Sequence, residues 1–170
     1  DHIQLAQKNA AENSLDRAHF LHADVRDFIL REGSRNILFE HIICNPPYND
    51  AQAYMPSPLK AKSLAMGHEQ TVLQDWIDCA NRNLKSGGSL TMIHKADQLD
   101  KIILALSGRF GAVEIWPLWP HAGEPAKRVI LRALKDRKTP AKLHAGLVLH
   151  LEQGGYTPEA EEILRGAQAI

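Results

Sequence analysis

The stretch that most constrains this chain is Asn45-Pro46-Pro47-Tyr48, which follows the run Ile37-Leu38-Phe39-Glu40-His41-Ile42-Ile43-Cys44. Residues 37–44 are short, mostly apolar and contain β-branched side chains, the pattern of a strand buried on both faces. Two consecutive prolines then stop it. Neither has a backbone N–H to donate, and each restricts the residue before it. A buried parallel strand that ends in a stiff turn places that turn at the carboxyl edge of its sheet, where open α/β folds bind ligands. Asn45 and Tyr48 are therefore expected on a rigid loop at that edge.

The rest of the chain supplies the frame. Apolar spacing predicts helices over residues 2–13 and 70–84, the second carrying Leu73, Trp76, Ile77, Ala80 and Leu84 and ended by Gly87-Gly88. Another helix carries Leu99, Ile102, Ile103 and Leu106 and stops at Gly108. Strands are expected over 18–25, 37–44, 89–93, 112–118 and 128–134, with a short strand or cap over 146–151. Thr157-Pro158 opens a last helix. Strands alternating with helices predict a doubly wound α/β fold with a mostly parallel sheet.

At 170 residues, the chain 1–170 has the size of a single domain with one core. Lys plus Arg number 20 and Asp plus Glu number 20, so no global field announces a nucleic-acid partner and a local patch must supply one. Cys44 and Cys79 sit in apolar patterns and read as reduced thiols. The nine histidines form no His-x-x-x-His or Cys/His cluster, so no metal site is expected. No apolar run approaches the roughly 20 residues that span a bilayer, and no signal peptide is visible. A cytoplasmic protein is the expectation; the oligomeric state is not legible.

Asn-Pro-Pro-Tyr after a buried strand resembles the active-site motif of class I S-adenosylmethionine-dependent methyltransferases that modify a planar nitrogen, with a Rossmann-like fold. That resemblance implies S-adenosyl-L-methionine as cofactor and Asn45, Pro46, Pro47 and Tyr48 as catalytic residues. The target nitrogen is a poor nucleophile because its lone pair is delocalised. The Asn45 side-chain oxygen and the Pro46 carbonyl would each accept one of its N–H groups and aim the lone pair at the methyl, so that catalysis is positioning plus electrostatics. The Tyr48 ring, rather than its hydroxyl, would stack on the flat substrate.

The same resemblance implies further positions. Asp24 and Val25, at the end of the strand expected over 18–25, occupy the place where the family holds the cofactor's adenine, with Asn45 nearby; a turn or capping aspartate is the alternative for Asp24. Asp1 is a weak candidate for the ribose. The long segment 49–68 has no clear period and contains Tyr54, Lys60 and Lys62, which would meet a base and phosphates if it is a binding loop. His94-Lys95 ends its strand at the catalytic edge, where it would either flank the substrate or be a plain polar strand exit, the second being the favoured reading. Lys127 and Arg128 open the densest basic region, a patch that would track a phosphate backbone or else guard a strand edge.

Leu84-Lys85-Ser86-Gly87-Gly88, Ala105-Leu106-Ser107-Gly108-Arg109-Phe110-Gly111, Pro125-Ala126-Lys127-Arg128-Val129 and Tyr156-Thr157-Pro158-Glu159-Ala160 are similar to the bacterial transferases that methylate the N6 amine of an anticodon-loop adenine in a valine tRNA. A tRNA partner follows from that likeness. A release-factor glutamine methyltransferase is the alternative, and a non-catalytic RNA-binding module is the alternative of another class. A guanine-directed ribosomal RNA enzyme is less favoured, since its motif usually ends in Phe. The family's first strand and glycine-rich turn are absent from this sequence, and are expected to lie upstream of residue 1.

Overall fold

The computed structural model describes residues 2–48, 73–166 and 168. In chain order it contains helix α1 (His2–Glu12), a small hairpin of β1 (Arg31–Glu32) and β2 (Arg35–Asn36), and strand β3 (Phe39–Cys44). Helix α2 (Leu73–Asn83), strand β4 (Leu84–Lys95), a 3-10 turn (Ala96–Gln98) and helix α3 (Leu99–Leu106) follow. The chain then runs through β5 (Phe110–Trp119), β6 (Arg128–Lys135), β7 (Lys142–Leu143), β8 (Leu147–Val148) and helix α4 (Pro158–Gly166).

The main sheet has the order β3-β4-β6-β5, with β7 and β8 both beside β5. Strand β3 is parallel to β4, as a strand–helix–strand unit requires, and β7 and β8 are parallel to β5. The long pairings of β6 with β4 and with β5 are antiparallel. The sheet is thus mixed, a correction to the mostly parallel arrangement expected. Its cause is topological: β5 turns back into β6 without a crossover helix, and a direct return of that kind is antiparallel. Because β6 then inserts between β5 and β4, it opposes both.

Helices cover both faces, which is the α/β architecture expected. On one face, Ile77, Ala80 and Leu84 from α2 and the start of β4 join Ile102 and Leu106 of α3 over Leu90, Met92, Val113, Ile115, Val129 and Leu131. Ile77, Leu84 and Ile102 are fully buried there. On the other face, Ala160 of α4 packs with Leu118 and Leu147, and with Ile93, Ile130 and Ile163 around them. Alternate residues of β4 and β6 therefore serve two cores. Strand β3 corrects the expectation of a strand buried on both faces: it ends the strand order among the described residues, so no helix-covered neighbour encloses it, and Ile43 is 82% exposed.

Residues 18–25 do not form the expected strand. They run without a ladder partner among the described residues, and Leu21 is 60% exposed. A strand needs a neighbour to take its backbone groups, whatever its own pattern. What positions this segment is α2. The Arg82 guanidinium donates to the carbonyls of Val25 at 2.8 Å and Arg26 at 2.7 Å, and Asn83 Nδ2 donates to the Phe28 carbonyl at 2.9 Å. Among the described residues no helix is long and apolar enough to cross a membrane.

Candidate active site

Strand β3 delivers Asn45-Pro46-Pro47-Tyr48 to the carboxyl edge of the sheet, beside the end of β4: Cys44 pairs with Met92, two residues short of His94. Pro46 is fully buried and wedges the turn in place. Asn45 and Pro47 on either side of it are exposed. Burying a ring that has no N–H to satisfy costs no hydrogen bond, so a proline anchors such a turn cheaply.

The Tyr48 hydroxyl donates to Asn45 Oδ1 at 2.7 Å. This bond gives the hydroxyl a part that the sequence did not suggest: it fixes the Asn45 amide through one lone pair of Oδ1 and leaves the other open. The Tyr48 ring meets the His94 ring edge to face, with centroids 5.4 Å apart at 88°. The Arg128 guanidinium lies over the Tyr48 ring, 5.7 Å from its centroid. Arg128 comes from β6, whose register pairs it with Lys95 of β4 and Leu118 of β5. Lys127 next to it is held by its backbone, which accepts from the Ala96 N–H at 3.1 Å and donates to the Leu118 carbonyl at 3.2 Å. Its side chain is exposed.

His94 is the residue that sequence reading undervalued. It continues the Leu90, Met92 alternation onto the core face and is 4% exposed, buried against Tyr48. The signal was there in the alternation: a histidine in phase with buried residues at a strand's carboxyl end is not a polar exit.

Asp24 and Val25 lie apart from this cluster. The Asp24 carboxylate is gripped by Arg26, accepting its backbone N–H at 2.9 Å, Nε at 3.0 Å and a terminal nitrogen at 2.7 Å. That side-chain bond, with the backbone bond behind it, lowers the Asp24 pKa to about 2. Val25 lines a cavity of about 320 Å³ along β3, with Phe28, Ile42, Cys44, Trp76 and Asn83. Asn45 is not among the residues that line this cavity. Arg26 engages both oxygens of the exposed Asp24 carboxylate, so any further donor there would share them with the guanidinium. Tyr54, Lys60 and Lys62 lie outside the described residues.

Cys44 and Cys79 on this cavity's wall are free thiols, both half-buried. Burial, with Cys79 nearby, pushes the Cys44 thiol up to about 12, and burial raises that of Cys79 too. Because the thiolate is the reactive form, iodoacetamide at pH 8 is expected to leave both unmodified in the folded protein and to label both after unfolding. Intact-protein mass spectrometry reads the difference, and rapid native labelling would contradict it.

Residues 1–117 match the family described as "Methyltransferase small domain". Among solved structures, a "predicted O-methyltransferase" from Agrobacterium tumefaciens aligns with a TM-score of 0.74 at 27% identity, over 99% of this chain and 74% of that one. A structure of a type I restriction–modification system aligns at a TM-score of 0.44 and 15% identity, over 76% of this chain and 29% of that one, too remote to bear on the site. No curated protein matches. Class I methyltransferases generally draw their methyl group from S-adenosylmethionine. A family match across more than two thirds of the sequence, on a sheet that presents its Asn-Pro-Pro-Tyr turn at the carboxyl edge, means that this chain belongs to the methyltransferase small domain family.

Proposed function

We propose that this chain transfers a methyl group from S-adenosylmethionine to the exocyclic N6 amine of an adenine in RNA, an anticodon-loop adenine of a valine tRNA. The observation that carries the reading is the arrangement at Tyr48: its hydroxyl orients Asn45 Oδ1, and a movable cation covers its ring. When bound, the cofactor supplies an electrophilic methyl group. The chain's own residues orient the acceptor. Asn45 Oδ1, with one lone pair taken by Tyr48, offers the other to one amine proton, and the Pro46 carbonyl offers an acceptor to the second. Both contacts strengthen as the nitrogen becomes positive, so they favour the transition state over the ground state.

Magnitudes favour exchange of Arg128 for a base. An exposed cation over an aromatic ring is worth about 0.5–1 kcal/mol, whereas a nucleobase stacked on one is worth about 1–3 kcal/mol. The entering base therefore displaces the guanidinium, which is left beside the nucleotide it has admitted and free to meet its phosphate. Tyr48→Phe keeps the ring but loses the bond to Asn45. We expect it to lower kcat about fivefold with KM little changed, the effect of about 1 kcal/mol of lost positioning. Tyr48→Ala should in addition raise the KM for RNA. Steady-state kinetics on the two variants separates the roles; an unimpaired Tyr48→Phe would remove the hydroxyl from the mechanism.

The substrate is tested by methyl transfer from labelled S-adenosylmethionine to unmodified bulk tRNA and to purified release factor in parallel. Label recovered as N6-methyladenine supports the reading. Label in the release factor keeps the chemistry on Asn45 but makes the acceptor a glutamine amide, and label on an oxygen overturns the nitrogen assignment. No label with no cofactor bound would point to a non-catalytic RNA-binding module.

A further inference from the structure

At the far end of the same sheet edge stands a row of three rings that the methyl-transfer site does not use. His150 lies 5.0 Å from Tyr156, nearly parallel at 27°, and His121 lies 5.8 Å from His150, tilted at 46°. Tyr156 ends the row and is 43% exposed.

The row is built rather than incidental. His121 follows the end of β5, and the chain beyond β8 runs alongside it, with the His150 N–H donating to the Pro120 carbonyl at 3.0 Å. A tight turn then brings Tyr156 back against His150 as an antiparallel bridge, closed by the Leu151 N–H on the Gly155 carbonyl at 3.1 Å. Gly154 and Gly155 in that turn have φ of 94° and 82°, a region L side chains rarely adopt. Thr157 pins the next residue: its Oγ1 donates to the Val148 carbonyl at 2.7 Å and accepts the Ala160 N–H at 3.2 Å, capping α4.

Position relates the row to the catalytic turn. The strand order carries β3, β4, β6, β5 and β8 side by side, so the two lie four strand spacings apart, roughly 19 Å at about 4.8 Å each. Between them on the edge are Lys95, Arg128 and Lys127, paired or bonded across β4, β6 and β5. Planar ring, the exposed Lys127 and Arg128 with the half-exposed Lys95, and the Asn-Pro-Pro-Tyr turn thus follow one another along a single edge. Unpaired bases stack on Tyr and His rings while Lys and Arg meet the phosphates between them.

We propose that the row of His121, His150 and Tyr156 is a second base-stacking site, which takes an unpaired nucleobase of the RNA a few nucleotides from the one that is methylated. It rests on the RNA reading above and adds to it how the substrate strand is laid across the protein. Tyr156 presents the outer ring, and His150 and His121 back it, so the platform is preorganised and the base loses little to ordering it.

The test uses a fluorescein-labelled anticodon stem-loop RNA and a trinucleotide centred on the target adenine, with binding read by anisotropy and methyl transfer read in parallel. The wild type is expected to bind the stem-loop more tightly, and Tyr156→Ala to remove about tenfold of that advantage. Tyr156→Phe should restore it, which excludes a role of the hydroxyl, and an unchanged denaturant midpoint in Tyr156→Ala separates stacking from support of the turn. Stem-loop RNA carrying 4-thiouridine a few nucleotides from the target should crosslink to the peptide containing His150 and Tyr156, a readout that needs no variant. Stem-loop methylation with undiminished affinity in Tyr156→Ala, or crosslinks confined to other peptides, would overturn the second site and leave the methylation reading intact. A wild type that neither binds nor methylates either RNA would remove the underlying reading and this one with it.

Discussion

Replacing Asn45 by alanine is expected to lower methyl transfer about 10²–10³-fold, the range seen when a preorganised polar group at a reacting centre is removed. Asn45 is exposed, and the Tyr48 hydroxyl bonds its side chain at 2.7 Å. Folding therefore loses at most one half-solvated hydrogen bond, about 1 kcal/mol. A large effect on turnover with a small one on stability is the signature of a residue that acts on the substrate. Single-turnover transfer from labelled S-adenosylmethionine reads the first, and a urea midpoint reads the second. Asn45→Asp keeps an acceptor for Tyr48 and for one amine proton but adds a charge, and should fall between alanine and the wild type. If Asn45→Ala turned over normally, the turn would be only a strand terminator and the acceptor geometry would be wrong.

The largest loss of stability from adding a single methyl group is expected at Gly146. Its φ is +80°, and a Cβ there would stand 2.1 Å from the Pro117 carbonyl oxygen and 2.9 Å from Trp119 Nε1. The oxygen is backbone of β5 and cannot swing aside. The glycine is what lets the chain turn into β8, which pairs with Leu118 and Trp119, and the Trp119 indole donates to the adjacent Ala145 carbonyl at 3.0 Å. Gly146→Ala therefore combines a left-handed penalty of about 1–2 kcal/mol with forced separation of β8 from β5. Roughly 2–4 kcal/mol in all is expected. Gly154→Ala is the control: its φ is also positive, at +94°, but nothing lies within 4 Å of the added methyl. It should cost only the conformational part. Denaturant midpoints of the two variants isolate the clash, and equal values would show that β8 yields without resistance.

The Gly146 variant also reaches function. Strand β8 carries the chain to His150, so shifting it moves the ring row without touching the Asn-Pro-Pro-Tyr turn at the other end of the same sheet edge. Thermal or denaturant loss in Gly146→Ala should come with weaker binding of the stem-loop RNA, while Asn45→Ala should weaken turnover alone.

How much was legible in advance depends on how far apart in sequence the deciding groups lie. The end of β3 at Cys44 was readable because Pro46 and Pro47 act on their own neighbours, through a missing N–H and a fixed φ. Helices α2 and α3 were readable because a periodic apolar stripe needs only the helix itself to form, and α4 because Thr157-Pro158 marks its first turn. The stretch 18–25 had the composition of a strand and no ladder partner among the described residues, and its place was decided instead by Arg82 and Asn83, more than fifty residues away. The mixed sheet likewise depended on where β6 inserted, which no local pattern states.

The site divides the same way. Sequence by itself determined that Asn45 and Tyr48 share a rigid turn after a strand, since every constraint there is local to four residues; that this strand is half-buried to exposed rather than buried was not legible. Only the tertiary structure decided that Arg128, eighty residues on, covers the Tyr48 ring, that His94 packs against it, and that Tyr156 stands on the same edge. Those meetings follow from the registers of β4 with β6 and of β5 with β6 and β8. Register is set by which alternation buries the most apolar surface on two faces at once, and that is a property of the assembled sheet, not of any one strand.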